Sequence, residues 1–239
     1  MPGYEVKHEQ VSVAGVADLQ IRSLLDRQQF SDPLGHALKL GISSAAWPLF
    51  GLLWPSGRQL AARLALRPVD PAERILEIGC GLGLASLVGH RRGADITASD
   101  CHPLAAGFLR HNVRLNGLPR LPYRHGHWHE ASAATADAAA PSHLRVAGRF
   151  DLVIGSDLLY ERDDNGTLAG FIGEHARAAA EVWIVDPNRG NRSHFNRHMA
   201  SHGFSRHEEV LAAPAVGAQL AYRGRLMVYR RGGGSALTA

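Results

Sequence analysis

Three closely spaced glycines constrain the fold of this chain more than any other feature of its sequence. They lie in the segment 77–83, EIGCGLG, between an apolar run at 74–76 and a helix-like run at 84–88. A strand that ends in such glycines and leads directly into a helix is typical of a nucleotide-binding turn. Glycine lets the backbone approach a ligand, and the helix directs free N–H groups at the same point. The glycines predicted to bind the ligand are Gly79, Gly81 and Gly83.

An acidic residue, Glu77, lies two positions before the first of these glycines. Its carboxylate would repel a pyrophosphate, and the G-x-G-x-G spacing differs from the G-x-G-x-x-G of dinucleotide-binding turns. Both features disfavour a nicotinamide-dependent dehydrogenase and favour a cationic ligand that carries an amine. A carboxylate inside an apolar strand is costly without a partner. A ligand amine or an ordered water would supply one, and an arginine elsewhere in the chain is the alternative.

The composition fits a cytoplasmic protein of one ordinary domain with an N-terminal extension. Of the 239 residues, 45% are hydrophobic, which suffices for a core. No apolar run approaches the roughly 18 residues of a membrane span, and the first residues lack a signal-peptide pattern. The only cysteines, Cys80 and Cys101, form no disulfide framework and are interpreted as small apolar fillers. The formal net charge is only +4 and the arginines are scattered, so neither a membrane nor a nucleic-acid partner is predicted.

We divide the chain into three regions. Residues 1–56 form an N-terminal extension or flap, residues 57–231 the ligand-binding domain, and residues 232–239 a flexible glycine-rich tail. Loose alternation of apolar and polar residues over 5–22, with Gly15 at the turn, predicts a β-hairpin in the extension.

From residue 74 onward, strand-like and helix-like segments alternate, which predicts an α/β fold with a doubly wound parallel sheet. The predicted strands are 74–79, 95–100, 121–125, 150–155, 181–186, 204–208 and 225–229. The predicted helices are 57–66, 84–92, 103–116, 166–179 and 192–202. Ligands of such sheets bind at the carboxyl ends of the parallel strands, so the residues at those ends are the functional candidates.

Two residues near these ends suit an adenosine-like ligand. Asp100 closes the second strand of the domain, and its carboxylate is placed to accept the hydroxyls of a ribose. The alternative is that it caps the following helix. Trp128 lies in the sequence HGHWH after the third strand and offers an aromatic face for an adenine, or packs under the loop 130–148. The three histidines around it lack the partners of a metal site, and no metal is predicted.

The fourth strand ends in the sequence SDLLY, which supplies the candidates for chemistry. Asp157 is predicted to hold a substrate ammonium or take its proton, and Tyr160 to orient the nitrogen. The alternative is an Asp that caps a helix and a Tyr in the core. Ser156, just before them, is assigned to the cofactor side of the same site. The segment 186–189 after the fifth strand forms either the rim of the pocket or a plain capping turn.

Taken together, these motifs resemble the class I, seven-β-strand methyltransferases that use S-adenosylmethionine. The D-x-x-Y of the fourth strand and the tryptophans before the first strand and after the third are similar to the family-16, lysine-methyltransferase-like branch. The resemblance covers about 60–230 and implies a Rossmann-like seven-stranded sheet with an antiparallel last strand. It implies that S-adenosylmethionine is held by Glu77, Gly79, Gly81 and Asp100, in a pocket lined by Trp54 and Trp128. Asp157 and Tyr160 would face the methyl acceptor.

The resemblance favours an N-methyltransferase that acts on a lysine of a protein. A small-molecule methyltransferase and a protein that binds the cofactor without turnover are the alternatives. A nucleic-acid methyltransferase is disfavoured, because its fourth strand would usually carry a sequence like NPPY. Neither the identity of the acceptor nor the oligomeric state is predicted.

Overall fold

The chain is described by a computed structural model over residues 3–128, 144–160, 162–215 and 221–232. Its strands are β1 (Val6–Val11), β2 (Leu19–Leu24), β3 (Arg74–Glu77), β4 (Asp95–Asp100), β5 (Tyr123–His125), β6 (Phe150–Ser156), β7 (Ala176–Asp186), β8 (Ser205–Ala213) and β9 (Tyr222–Arg231). Its helices are α1 (His36–Lys39), α2 (Pro55–Leu66), α3 (Leu84–Arg91), α4 (Ala105–Leu115), α5 (Thr167–His175) and α6 (Arg192–Ser201), with a 3-10 turn at Trp47–Gly51.

Seven strands form one mixed sheet in the order β5-β4-β3-β6-β7-β9-β8. The strands from β3 to β7 are parallel, and β9 runs antiparallel to both of its neighbours. The central strands are apolar on both faces because helices cover both. In β6, for example, Leu152, Val153 and Ile154 are fully buried. The predicted Rossmann-like sheet with an antiparallel last strand is confirmed.

One helix is shorter than predicted. The sequence predicts a helix over the whole of 166–179, but α5 ends at His175 and β7 begins at the next residue. The alanine-rich start of β7 has a strong helix propensity, yet its backbone pairs with the end of β9. Arg231 also donates from its guanidinium to the carbonyl oxygens of Ala176 and Arg177, at 2.9 Å each. Pairing with distant strands outweighs local propensity here.

The predicted hairpin is present as β1 and β2, and the side chains of two asparagines attach it to α4. The amide of Asn112 accepts the Arg22 N–H at 2.8 Å and donates to the Arg22 carbonyl at 3.3 Å. Asn116, one helical turn later, does the same for Gln20 at 2.9 and 2.8 Å. The hairpin also contributes Leu19 and other fully buried residues to the core on its side of the sheet.

Candidate functional site

A cavity of about 540 Å³ lies at the carboxyl ends of β3, β4 and β6. Part of its wall comes from the N-terminal extension, between α1 and the start of α2. The structure brings every sequence-predicted site residue to this one cavity. The ten residues are Trp54, Glu77, Gly79, Gly81, Gly83, Asp100, Trp128, Ser156, Asp157 and Tyr160.

The glycine turn between β3 and α3 has a backbone that few other residues adopt. Gly79, Gly81 and Gly83 all have positive φ angles, of 57°, 52° and 73°. A Cβ atom added to Gly81 would lie 2.7 Å from the carbonyl oxygen of Phe50, in the extension. Only glycine therefore fits at this point of the turn without a steric clash, and the turn exposes backbone atoms to the cavity.

Glu77 is buried at the end of β3, where its partner is the start of α3. Its Oε2 accepts the Ser86 backbone N–H at 2.8 Å and also the Ser86 hydroxyl. Sequence reasoning considered an arginine as the alternative partner, but the protein partner is this serine. Burial raises the pKa of the Glu77 carboxyl to about 7, against the opposing effect of the Ser86 hydrogen bonds. A cationic group in the cavity would therefore convert a partly neutral Glu77 to its charged form.

Asp100 joins the end of β4 to the glycine turn. Its Oδ2 accepts the Gly81 N–H and its Oδ1 the His102 N–H, both at 2.8 Å. Burial raises the pKa of this carboxyl, while the backbone hydrogen bonds lower it. Asp100 does not cap α4, because that helix begins at Ala105 and Leu104 occupies its N-cap position. The residue instead lines the cavity.

The two tryptophans reach the cavity from different parts of the chain. Trp54 occupies the N-cap position of α2, and its indole N–H donates to the Leu49 carbonyl at 2.8 Å. Trp128, after β5, is half-buried and packs 6.1 Å from the ring of Phe171. Its ring edge lies next to the glycine turn, where a Cβ on Gly79 would be 3.4 Å away. Residues 129–143 of the loop expected above it lie outside the described residues.

Asp157 has a backbone conformation that is unusual for a residue with a side chain, with a φ of 57°. Its Oδ1 forms an ion pair with Arg189 at 2.9 Å. Its Oδ2 is buried without a hydrogen-bond partner among the described residues. Burial raises the pKa of the carboxyl, and Ser56 and Arg189 act in the opposite direction.

The helix-capping alternative for Asp157 is wrong. The helix that follows, α5, begins only at Thr167, and its first N–H groups are accepted by Asp163. Neither Asp157 nor Tyr160 lies at the start of a helix among the described residues. Tyr160 is also not a core residue, since 45% of its surface is exposed. Both side chains line the cavity.

Sequence reasoning missed several lining residues. His102 stacks on Phe50 with ring centroids 3.7 Å apart, and both rings lie against the glycine-turn side of the cavity. Arg189 belongs to a segment that was assigned to the rim or to a capping turn, and its side chain contacts Asp157. The apolar wall from the extension, which includes Leu49 and Leu53, had no sequence signal because it follows no helical or strand periodicity.

Within the described residues, no group of three or more histidine, cysteine or acidic side chains is arranged to hold a metal ion. Both cysteines are free and line the cavity, and burial raises the pKa of each thiol. None of the described helices is long and apolar enough to cross a bilayer.

The sequence of this chain is similar to those of known lysine methyltransferases. The sequence model of a family described as lysine methyltransferase matches residues 53–201. The electron transfer flavoprotein beta subunit lysine methyltransferase of Xenopus laevis is 27% identical over 168 residues, which cover 69% of this chain and 60% of that protein. The calmodulin-lysine N-methyltransferase of Arabidopsis thaliana is 24% identical over 147 residues, covering 58% and 45%. The match thus spans less than two thirds of either relative.

The fold is also that of solved methyltransferase structures. The magnesium protoporphyrin IX methyltransferase of Synechocystis PCC 6803, solved with bound S-adenosylmethionine, aligns with a TM-score of 0.53 and 16% sequence identity. The alignment covers 74% of this chain and 78% of that one. At this sequence identity, the alignment shows a shared fold alone.

Proposed function

Because this chain belongs to the lysine methyltransferase family, we propose that it transfers a methyl group from S-adenosylmethionine to the side-chain nitrogen of a lysine in a protein. One observation carries the proposal. One carboxylate ends β4, one ends β3 and one directly follows the neighbouring β6, and all three line a single cavity with the glycine turn. These residues are Asp100, Glu77 and Asp157. Two of them suit the methyl donor, and the third suits an amine acceptor.

The residues around the glycine turn fit S-adenosylmethionine. We assign the ammonium of its amino-acid end to Glu77 and its ribose hydroxyls to Asp100, because both carboxyl groups line the cavity beside the glycine turn. We assign the adenine to the aromatic side of the cavity, at Trp128. The glycine turn supports this placement, because Gly79, Gly81 and Gly83 line the cavity and present backbone without a Cβ to it. The cavity volume of about 540 Å³ is in the usual range of small-molecule sites.

The residues at the end of β6 are assigned to the acceptor. S-adenosylmethionine supplies a methyl carbon activated by a sulfonium. The lysine nitrogen must lose its ammonium proton to expose a lone pair, which then forms the N–C bond as the S–C bond breaks. We propose that Asp157 binds the incoming ammonium and receives this proton, and that Tyr160 orients the nitrogen. Such a transfer depends mainly on positioning and on exclusion of water, which the apolar wall supplies.

The proposal is tested by incubating the protein with tritiated S-adenosylmethionine and a cytosolic extract, since we also propose that it acts in the cytoplasm. We expect a discrete labelled protein band that yields methyl-lysine on hydrolysis. Label in an acid-soluble product other than S-adenosylmethionine would instead indicate a small-molecule methyltransferase. Binding of S-adenosylmethionine by calorimetry without any label would indicate a cofactor-binding protein without turnover.

The Asp100→Ala variant tests whether the methyl donor binds in this cavity. We expect it to weaken S-adenosylmethionine binding by about thirtyfold or more, because the ribose contact and the anchor of the Gly81 N–H are lost together. Asp95→Ala is the matched control, at the opposite end of the same strand, where an exposed carboxylate pairs loosely with Arg74 at 3.9 Å. Equal affinities in the two variants, measured by calorimetry, would contradict the assignment of Asp100.

The raised pKa of Glu77 predicts a pH dependence of binding. The carboxyl is largely protonated at about pH 6 and largely charged at about pH 8, and a cationic ligand binds only the charged form. Affinity for S-adenosylmethionine should therefore rise about tenfold over this interval, with release of a proton on binding near neutral pH. Calorimetry in two buffers of different ionisation enthalpy measures both effects. Glu77→Gln should abolish the dependence, and a flat profile in the unmodified protein would refute it.

A further inference from the structure

A polar cluster lies where β6 and β7 end, on the acceptor side of the cavity. Asp157 follows β6, and Asp186 is the last residue of β7 and fully buried. Arg189 contacts both of them. The other ionisable groups around this cluster are Arg192 of α6, 3.9 Å from Asp186, and Tyr222 of β9, whose hydroxyl lies 3.0 Å from Ser56 of α2. Tyr160 also lines the same cavity.

Arg189 is anchored at both of its ends. Its backbone N–H donates to Asp186 Oδ1 at 2.7 Å. Its Nη1 lies 2.9 Å from Asp157 Oδ1 and donates to the Asp157 carbonyl at 3.3 Å. The preceding residue, Asn188, has a φ of 66° and accepts a hydrogen bond from Arg225 Nε at 3.1 Å. The chain therefore makes a sharp, braced turn that brings the guanidinium back onto the end of the neighbouring strand.

The guanidinium remains accessible to a ligand. About 30% of the Arg189 side chain is exposed, against 12% for Asp157, and both residues line the cavity. An amine that approaches Asp157 from the cavity consequently meets a fixed positive charge beside the carboxylate. In a partly buried site, the positive charges of the guanidinium and of an ammonium disfavour each other. The guanidinium does not give up its proton, so the amine is the group that becomes neutral.

We propose that Arg189 is a positioning residue of the acceptor site, which holds the Asp157 carboxylate in place and favours the neutral form of the acceptor amine. The inference rests on the proposed function, because it assumes that an amine is the acceptor. Arg189 acts in two ways on the pH range over which the reaction proceeds. It keeps Asp157 in its charged form down to lower pH, although this also makes the carboxylate a weaker base, and it lowers the pKa of the amine that must lose a proton. Both effects extend activity toward lower pH.

The experiment compares Arg189→Gln, Arg189→Lys and the unmodified protein across a pH series. The initial rate of tritium incorporation from S-adenosylmethionine into acid-precipitable protein of the extract, at limiting acceptor, reports kcat/KM. We expect the acid limb of the Arg189→Gln profile to move up by about one pH unit, which is about a tenfold loss near pH 7 that recovers at higher pH. Arg189→Lys keeps the charge and should restore most of the activity near neutral pH.

A second measurement is independent of turnover. Carbon-13 NMR of aspartate-labelled protein, with the Asp157 signal assigned by Asp157→Asn, gives the pKa of this carboxyl directly. We expect the pKa to be higher in Arg189→Gln than in the unmodified protein, because one of the influences that lower it is removed. Arg162→Gln is the matched control, since Arg162 is an exposed arginine close in sequence that pairs with Asp164 at 3.1 Å. It should change neither quantity.

The outcomes separate this inference from the function on which it rests. If the unmodified protein labels no protein at any pH, the proposed function fails. If it does label protein, but Arg189→Gln keeps both the profile and the Asp157 pKa of the unmodified chain, the role of Arg189 is overturned. A uniform loss of rate at every pH, with an unchanged profile, would also overturn it and would assign Arg189 to folding alone. Thermal unfolding of each variant verifies that the folded proteins are compared.

Discussion

Replacing Asp157 by asparagine is expected to slow methyl transfer by about a hundredfold or more, while S-adenosylmethionine binding changes by less than about threefold. Asparagine has the size of aspartate but neither takes up a proton nor pairs ionically with an ammonium. It also tolerates the left-handed backbone that Asp157 adopts at a φ of 57°. Alanine would add backbone strain of about 1 kcal/mol and so mix a structural effect with the chemical one. The rate is measured by tritium transfer and the affinity by calorimetry.

The control for this variant is Asp164→Asn, which removes a carboxylate that is 57% exposed and pairs with Arg162 on the surface. Its rate should match that of the unmodified protein. Equal rates in Asp157→Asn and in the unmodified chain would remove Asp157 from the reaction. A rate loss accompanied by an equal loss of cofactor affinity would show that Asp157 binds the methyl donor and not the acceptor.

Replacing Gly81 by alanine is the second large effect that we expect. The added Cβ meets the Phe50 carbonyl oxygen at 2.7 Å, on a backbone with a φ of 52°. Either the turn or the extension must move, so S-adenosylmethionine binding should weaken by about a hundredfold and the free energy of unfolding should fall by about 2 kcal/mol. Calorimetry and urea unfolding measure the two losses.

Gly93→Ala provides the matched comparison. Gly93 has a φ of 89°, yet nothing lies within 4 Å of its added Cβ. This variant carries the cost of backbone strain, about 1 kcal/mol, without a steric contact and away from the cavity. Its cofactor affinity should be that of the unmodified protein. If the two variants bind S-adenosylmethionine equally well, the close packing of Gly81 against Phe50 does not contribute to cofactor binding.

The sequence was sufficient to predict the sheet and the position of the cavity. Alternating apolar segments predicted the parallel strands, and all parallel strands place their carboxyl ends on one edge. The residues that end three strands, including Glu77, Asp100 and Asp157, therefore had to meet once the order of strands was known. The prediction that these three residues line one cavity therefore required no information about side-chain packing.

What the sequence did not predict depends on contacts between distant segments. The partner of Glu77 is a serine on the next helix, and that of Asp157 is an arginine beyond the next strand, and no spacing rule connects these pairs. The wall contributed by the extension has irregular backbone, so its side chains show no periodicity. The alanine-rich start of β7 is locally helix-favouring, and only its partners on other strands make it extended.

The two asparagines on α4 have a consequence for self-association. Each outer edge of a two-stranded hairpin presents unpaired N–H and C=O groups, onto which a strand from another molecule can add. Asn112 and Asn116 use their amides as a substitute strand and occupy these groups at Arg22 and Gln20. Because the substitute is two side chains on a helix, it completes the edge without offering a further one. The β2 edge of the hairpin is thereby protected, at Gln20 and Arg22, from the edge-to-edge pairing that leads to aggregation.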